Sequence, residues 1–176
     1  PSPNGLLAEQ EGDLWVVCNC GGNTDFSRLS GFDTIDTVDT VALGQSMNVR
    51  TMAIDSNTNN LLVVGLTEDP DRQRLLEIDA AGEPDLLVGT REFPVEPSLQ
   101  SLAFDGTALW ATTSVVRGVL VKLDPATGAI VETWQMPDSK VAWHHVAFRD
   151  GRMFVLGVAA EDDTGTIVEI TFPPGR

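Results

Sequence analysis

Short apolar runs bounded by turn-forming residues recur along the chain, and none holds the helical apolar spacing over the length of a long amphipathic helix. Four segments follow one order. Each opens on an apolar strand: Leu6-Leu7-Ala8, Met52-Ala53-Ile54-Asp55, Leu102-Ala103-Phe104-Asp105 and Val146-Ala147-Phe148. A tight turn follows, as Glu11-Gly12-Asp13, Ser56-Asn57-Thr58-Asn59-Asn60, Gly106-Thr107 and Asp150-Gly151. Gly, Asn and Asp tolerate the positive φ that hairpin turns demand. A second strand then starts with a bulky pair, Leu14-Trp15, Leu61-Leu62, Leu109-Trp110 or Met153-Phe154. A third strand closes on Arg28-Leu29, Glu77-Ile78-Asp79, Lys122-Leu123-Asp124 or Glu169-Ile170.

Corresponding positions recur about every 44 to 50 residues, the period of one four-stranded propeller blade. Thr34 to Val41 alternates apolar with polar residues, as an outer strand with one wet face does. Val119 to Val131 reads as a hairpin around Pro125-Ala126-Thr127-Gly128. The pattern predicts an all-β chain: a β-propeller of about four blades, each of four antiparallel strands. Its blades span approximately residues 1–45, 46–94, 95–137 and 138–176, the last incomplete because no clear outermost strand follows Ile170. A single blade cannot cover both its faces, so blades must stack. Trp15, Phe104, Trp110, Phe148 and Phe154 are expected to fill the space between them. Four blades is a small ring, so the pattern also allows part of a larger one, completed by further blades or by a homo-oligomer.

Charge narrows the partners. The net charge of −15 repels phosphate backbones and anionic membrane surfaces, so nucleic acid is not an expected partner. No stretch approaches the length of an apolar membrane span. Opening at Pro1 without an initiator Met is expected of a processed, trimmed or excerpted chain and points to an extracytoplasmic location, secreted, periplasmic or at the cell surface. Cys18 and Cys20 read as free structural thiols; a strained bond between them, or one to another chain, remains open. The acidic stretches Thr67 to Asp71 and Glu161 to Gly165 offer oxygens to a divalent cation such as calcium, although solvated hairpin loops have the same composition. No nucleophile-elbow, zincin, phosphate-loop or haem-attachment motif is present.

Pro3-Asn4-Gly5-Leu6 followed by Gly12 to Val17 resembles blade openings of the gluconolactonase and regucalcin family. Gly106-Thr107-Ala108-Leu109-Trp110 and Lys122 to Gly128 are similar to blades there, in virginiamycin B lyase and in YVTN-type surface proteins. The resemblance spans nearly the whole chain at blade level, and it implies fold far more than activity. In the lactonases the Asn of the Asn-Gly opening is a divalent-metal ligand, which maps to Asn4. The Asp and Gly that complete that site correspond to Gln100 and Ser101, and the family's glutamate has no counterpart. The lyase's channel histidine corresponds in position to His144 or His145.

Residues entering the innermost strands surround one mouth of a propeller's channel, where ligands usually bind. The register places Asn48, Arg50, Gln100, Trp143, His144 and His145 there as ligand-binding candidates, with Asn4 as the metal candidate and His144 or His145 as the catalytic ones. The expected function is a non-catalytic extracytoplasmic module for a protein, glycan or small-molecule ligand, or for assembly. The alternative is a metal-assisted lactonase or lyase using Asn4 and one histidine.

Overall fold

The computed structural model describes residues 6–10, 13–20, 23–30, 38–42, 48–67, 69, 72–79, 87–94, 99–113, 118–136, 140–159 and 161–171. Every regular element among them is a β-strand. The strands form four antiparallel sheets in which each strand pairs with the next in sequence. The first sheet holds β1 (Leu6–Gln10), β2 (Asp13–Cys20), β3 (Asn23–Ser30) and β4 (Val38–Ala42). The second holds β5 (Asn48–Ile54), β6 (Leu61–Leu66), β7 (Arg72–Ile78) and β8 (Leu87–Pro94). The third holds β9 (Leu99–Phe104), β10 (Leu109–Thr113), β11 (Val119–Leu123) and β12 (Ile130–Gln135). The fourth has three described strands, β13 (Val141–Arg149), β14 (Arg152–Ala159) and β15 (Gly165–Ile170).

The chain divides into two compact units, Pro1–Val95 and Glu96–Arg176, each holding two consecutive sheets. In the first unit β5 packs against β1 and β2. Trp15 is fully buried there among Val49, Met52, Leu61, Val63, Leu76 and Ile78. In the second unit β13 packs against β9 and β10, and Trp110 is buried with Leu120, Val141, Trp143, Val146, Met153 and Val155. Thus one face of each leading sheet, carrying the tryptophan, is covered by an apolar face of the sheet that follows.

Register explains the repeat. Trp15 pairs with Ala8 and Arg28, Leu62 with Ala53 and Glu77, Trp110 with Ala103 and Lys122, and Phe154 with Ala147 and Glu169. A small alanine on the first strand lies beside a bulky second-strand side chain, and a charged residue follows on the third. Lys122 uses that place to hold its ammonium 5.2 Å from the Trp110 ring centroid, while Trp134 meets the same ring edge-on at 5.6 Å. Both contacts favour this indole orientation.

The turns carry local codes. Asp55–Asn60, Asp124–Ala129 and Ala159–Thr164 adopt one six-residue hairpin turn. In each, the first residue's N–H donates to the sixth carbonyl, and the fifth residue, Asn59, Gly128 or Asp163, has positive φ. The sixth N–H donates to the fourth side chain: Thr58 Oγ1, Thr127 Oγ1 or Asp162 Oδ1. Asp150 and Gly151 both have positive φ, the requirement of a tight two-residue hairpin between β13 and β14.

Asp105 organises the turn between β9 and β10. Its Oδ1 accepts from the N–H groups of Thr107 and Ala108, at 2.8 and 2.7 Å, and from the Thr107 hydroxyl at 2.8 Å. Its Oδ2 accepts the Trp110 indole N–H at 2.7 Å. Burial raises this carboxyl's pKa, but the bonds from Trp110, Ala108 and Thr107 outweigh it and leave the group below its ordinary value.

Candidate functional site

The first strand of each of the last three sheets is broken by a bulge at one register position. Between Val49 and Thr51, opposite Gly65 and Val64, the extra residue is Arg50. Between Leu99 and Ser101, opposite Thr113 and Thr112, it is Gln100. Between Trp143 and His145, opposite Gly157 and Leu156, it is His144. Each lies three residues before the alanine of its own sheet's column: Ala53, Ala103 or Ala147. A bulge frees one residue from the ladder and re-aims its side chain, and bulges are over-represented beside functional sites.

In the second unit the two bulges are tied together. The buried Ser101 hydroxyl, adjacent to Gln100, accepts the Val146 N–H at 3.0 Å. Thr112, opposite Ser101, is fully buried and donates its hydroxyl to the His144 carbonyl at 3.0 Å. Sheet-to-sheet packing and two hydrogen bonds therefore hold the β9 and β13 bulges in place. Gln100 and His144 are each half-buried. An amide and an imidazole both donate and accept hydrogen bonds, which suits a polar, hydroxyl- or amide-bearing ligand.

The other candidates separate by position. His145 is exposed and lies opposite Leu156, on the face of β13 away from Trp143. Strict alternation does not run through the histidine pair, because the bulge intervenes. Trp143 is 4% exposed and packs in the core, so the structure places it behind the bulge as a support. Gly157 sits against it: a Cβ there would meet Val141 Cγ1 at 2.3 Å and Trp143 Cε3 at 2.8 Å. In the first unit, Arg50 and Asn48 are exposed on either side of the buried Val49. Asn4 lies outside the described residues, as do the side chains of Cys18 and Cys20, both on β2, and most of the Thr67 to Asp71 loop. In Glu161 to Gly165, Asp162 accepts the Thr164 N–H and Asp163 occupies the positive-φ turn position. Among the described residues, no three His, Cys, Asp or Glu side chains converge as a metal site would require.

The bulges were readable in the sequence. Val49-Arg50-Thr51-Met52, Leu99-Gln100-Ser101-Leu102 and Trp143-His144-His145-Val146 each separate two buried apolar residues by three positions where a flat strand has two.

With antiparallel sheets of four described strands, or three in the last, following one another along the chain and packed face to face within each unit, the chain has the β-propeller fold, with about four blades. Its structure is similar to hydrazine synthase of Kuenenia stuttgartiensis, with a TM-score of 0.64 at 11% identity, over 97% of this chain and 46% of that one. It is also similar to the β-propeller domain of Cps50 (Swd1) from Myceliophteria thermophila, with a TM-score of 0.54 at 17% identity, over 91% and 48%. A third similarity is to the WD40 domain of Toxoplasma gondii coronin, with a TM-score of 0.51 at 13% identity, over 93% and 54%. The chain spans about half the length of each. Such identities establish the fold alone, and these proteins use it differently. No family model matches the sequence, and no curated protein does. Among the described residues, no helix is long and apolar enough to cross a membrane.

Proposed function

We propose that this chain is a non-catalytic, extracytoplasmic β-propeller module that binds a protein, glycan or small-molecule ligand at the bulges of β9 and β13 in its second unit. The carrying observation is the recurrence of one bulge, three residues before the column alanine, with Arg50, Gln100 or His144 as the released residue. A bulge repeated for backbone geometry alone does not require polar or charged occupants. Here each is polar or charged, and each differs. The Ser101–Val146 and Thr112–His144 bonds preorganise two of them, which lowers the ordering cost of binding. Resemblance of the blades to YVTN-type surface proteins, together with the acidic charge, supports the extracytoplasmic placement.

The test is a glycan array and an extracellular-protein array probed with the wild-type chain and with Gln100→Ala and His144→Ala. Retained folding with binding lost in both variants supports the site. Binding indifferent to both substitutions removes it. Divalent-metal-dependent lactone hydrolysis abolished by His144→Ala would instead establish the enzymatic alternative.

A further inference from the structure

The strands that hold the two bulges of the second unit are free of acid. β9, β10, β13 and β14 carry no Asp or Glu, in a chain with 26 of them and a net charge of −15. The acids on this unit's other described strands are Glu132 on β12 and Glu169 on β15. Asp105, past the end of β9, is taken up by Trp110, Ala108 and Thr107. Glu161, Asp162 and Asp163 lie in the turn after β14, where Glu161 holds Lys140 at 3.0 Å. Arg149 and Arg152, at the opposite end of the β13–β14 pair, face Asp150 and Glu169 at 3.7 Å. Neither the Gln100 amide nor the His144 imidazole is engaged by another described residue.

The three residues released by bulges all carry N–H donors, and none is a carboxylate. In the first unit β5 and β6 likewise lack Asp and Glu, and the Arg50 guanidinium is engaged by no other described residue. Withholding carboxylates from these positions leaves donors that an anion's oxygens can accept from. Histidine changes charge between pH 5 and 8, and its protonated ring is a cation with two donors. The overall charge limits the ligand's size. Every negative charge of a polyanion meets the repulsion of the −15 field, whereas a single carboxylate meets it once. We propose that the ligand bound at Gln100 and His144 is a small monocarboxylate, and that protonation of His144 strengthens its binding; this rests on the site proposed above. Charge-assisted bonds to the carboxylate favour the protonated ring, so affinity rises as pH falls.

The test is calorimetric titration of the wild-type chain with acetate, lactate, benzoate and glucuronate, each against its primary amide. At least one carboxylate is expected to bind, with its amide weaker by roughly tenfold or more, and to tighten roughly tenfold from about pH 7.5 to about pH 5.5. Carboxylates stay ionised down to about pH 4, so the ligand's own charge is constant over that interval. His144→Gln keeps a donor but takes up no proton, and is expected to flatten the pH dependence. His145→Gln, at an exposed position on the Leu156 side of β13, is expected to leave it unchanged. Gln100→Glu sets a like charge against the ligand and is expected to weaken binding roughly tenfold or more. No binding of any of the four carboxylates, amides bound as tightly, or a pH dependence that follows His145 rather than His144 overturns the proposal. The wild-type comparisons decide it even if a variant misfolds. An uncharged ligand found on the arrays and lost in Gln100→Ala and His144→Ala overturns the carboxylate while leaving the site. Carboxylate binding indifferent to both alanine variants removes the site itself.

Discussion

The Val146 backbone N–H donates to the Ser101 hydroxyl at 3.0 Å, joining the third and fourth sheets through a bond with no water access. An unsatisfied buried N–H costs about 1–3 kcal/mol, so Ser101→Ala is expected to lower unfolding free energy by about that amount. Urea denaturation measures it. Because Ser101 adjoins Gln100, the same substitution should also weaken ligand binding at the bulge, whereas a loss confined to stability would show that the bulge does not need this support.

Asp105 makes the fold sensitive to acid. Its carboxyl is held below its ordinary value, so its stabilisation is fully present above about pH 4 and is lost as pH falls through the depressed folded value. Asp105→Asn keeps one acceptor oxygen but sets an amide N–H₂ against either the Trp110 indole N–H or the turn N–H groups. The expected loss at neutral pH is about 1–3 kcal/mol, with a flatter stability profile below pH 4. Melting temperature against pH, for wild type and variant, checks both.

Gly157→Ala tests the support behind the histidine bulge. The added methyl would clash with Val141 and Trp143, and overpacking of this kind costs about 1–3 kcal/mol. Relief requires Trp143 to move, which shifts the neighbouring His144. The expected signature is therefore a changed near-ultraviolet tryptophan signal together with weaker binding, with the β-sheet content unchanged.

The three matching turns offer a paired experiment. Gly128→Ala places a Cβ at φ 73° and is expected to cost about 1 kcal/mol. Asp163→Gly removes one at φ 57° and is expected to stabilise by up to about 1 kcal/mol, because the same turn already accepts glycine at that place. Thermal unfolding of the two variants should move in opposite directions.

Local chemistry determined much of this protein before any coordinates. The apolar runs, the turn residues and the bulky second-strand pairs specify strands and hairpins, because pleat and positive φ are properties of neighbouring residues. The Trp15 and Trp110 positions were legible as packing residues for the same reason. The polar positions 50, 100 and 144 were legible as candidates, and the three-residue apolar spacing around each encodes its bulge. Tertiary structure alone decided what surrounds them. Burial of Trp143 behind the bulge, the bond from Val146 to Ser101, the indole bond to Asp105 and the exposure of Ile167 all depend on which sheet covers which face. A sequence gives each strand two faces; only packing against another sheet determines which of them meets water.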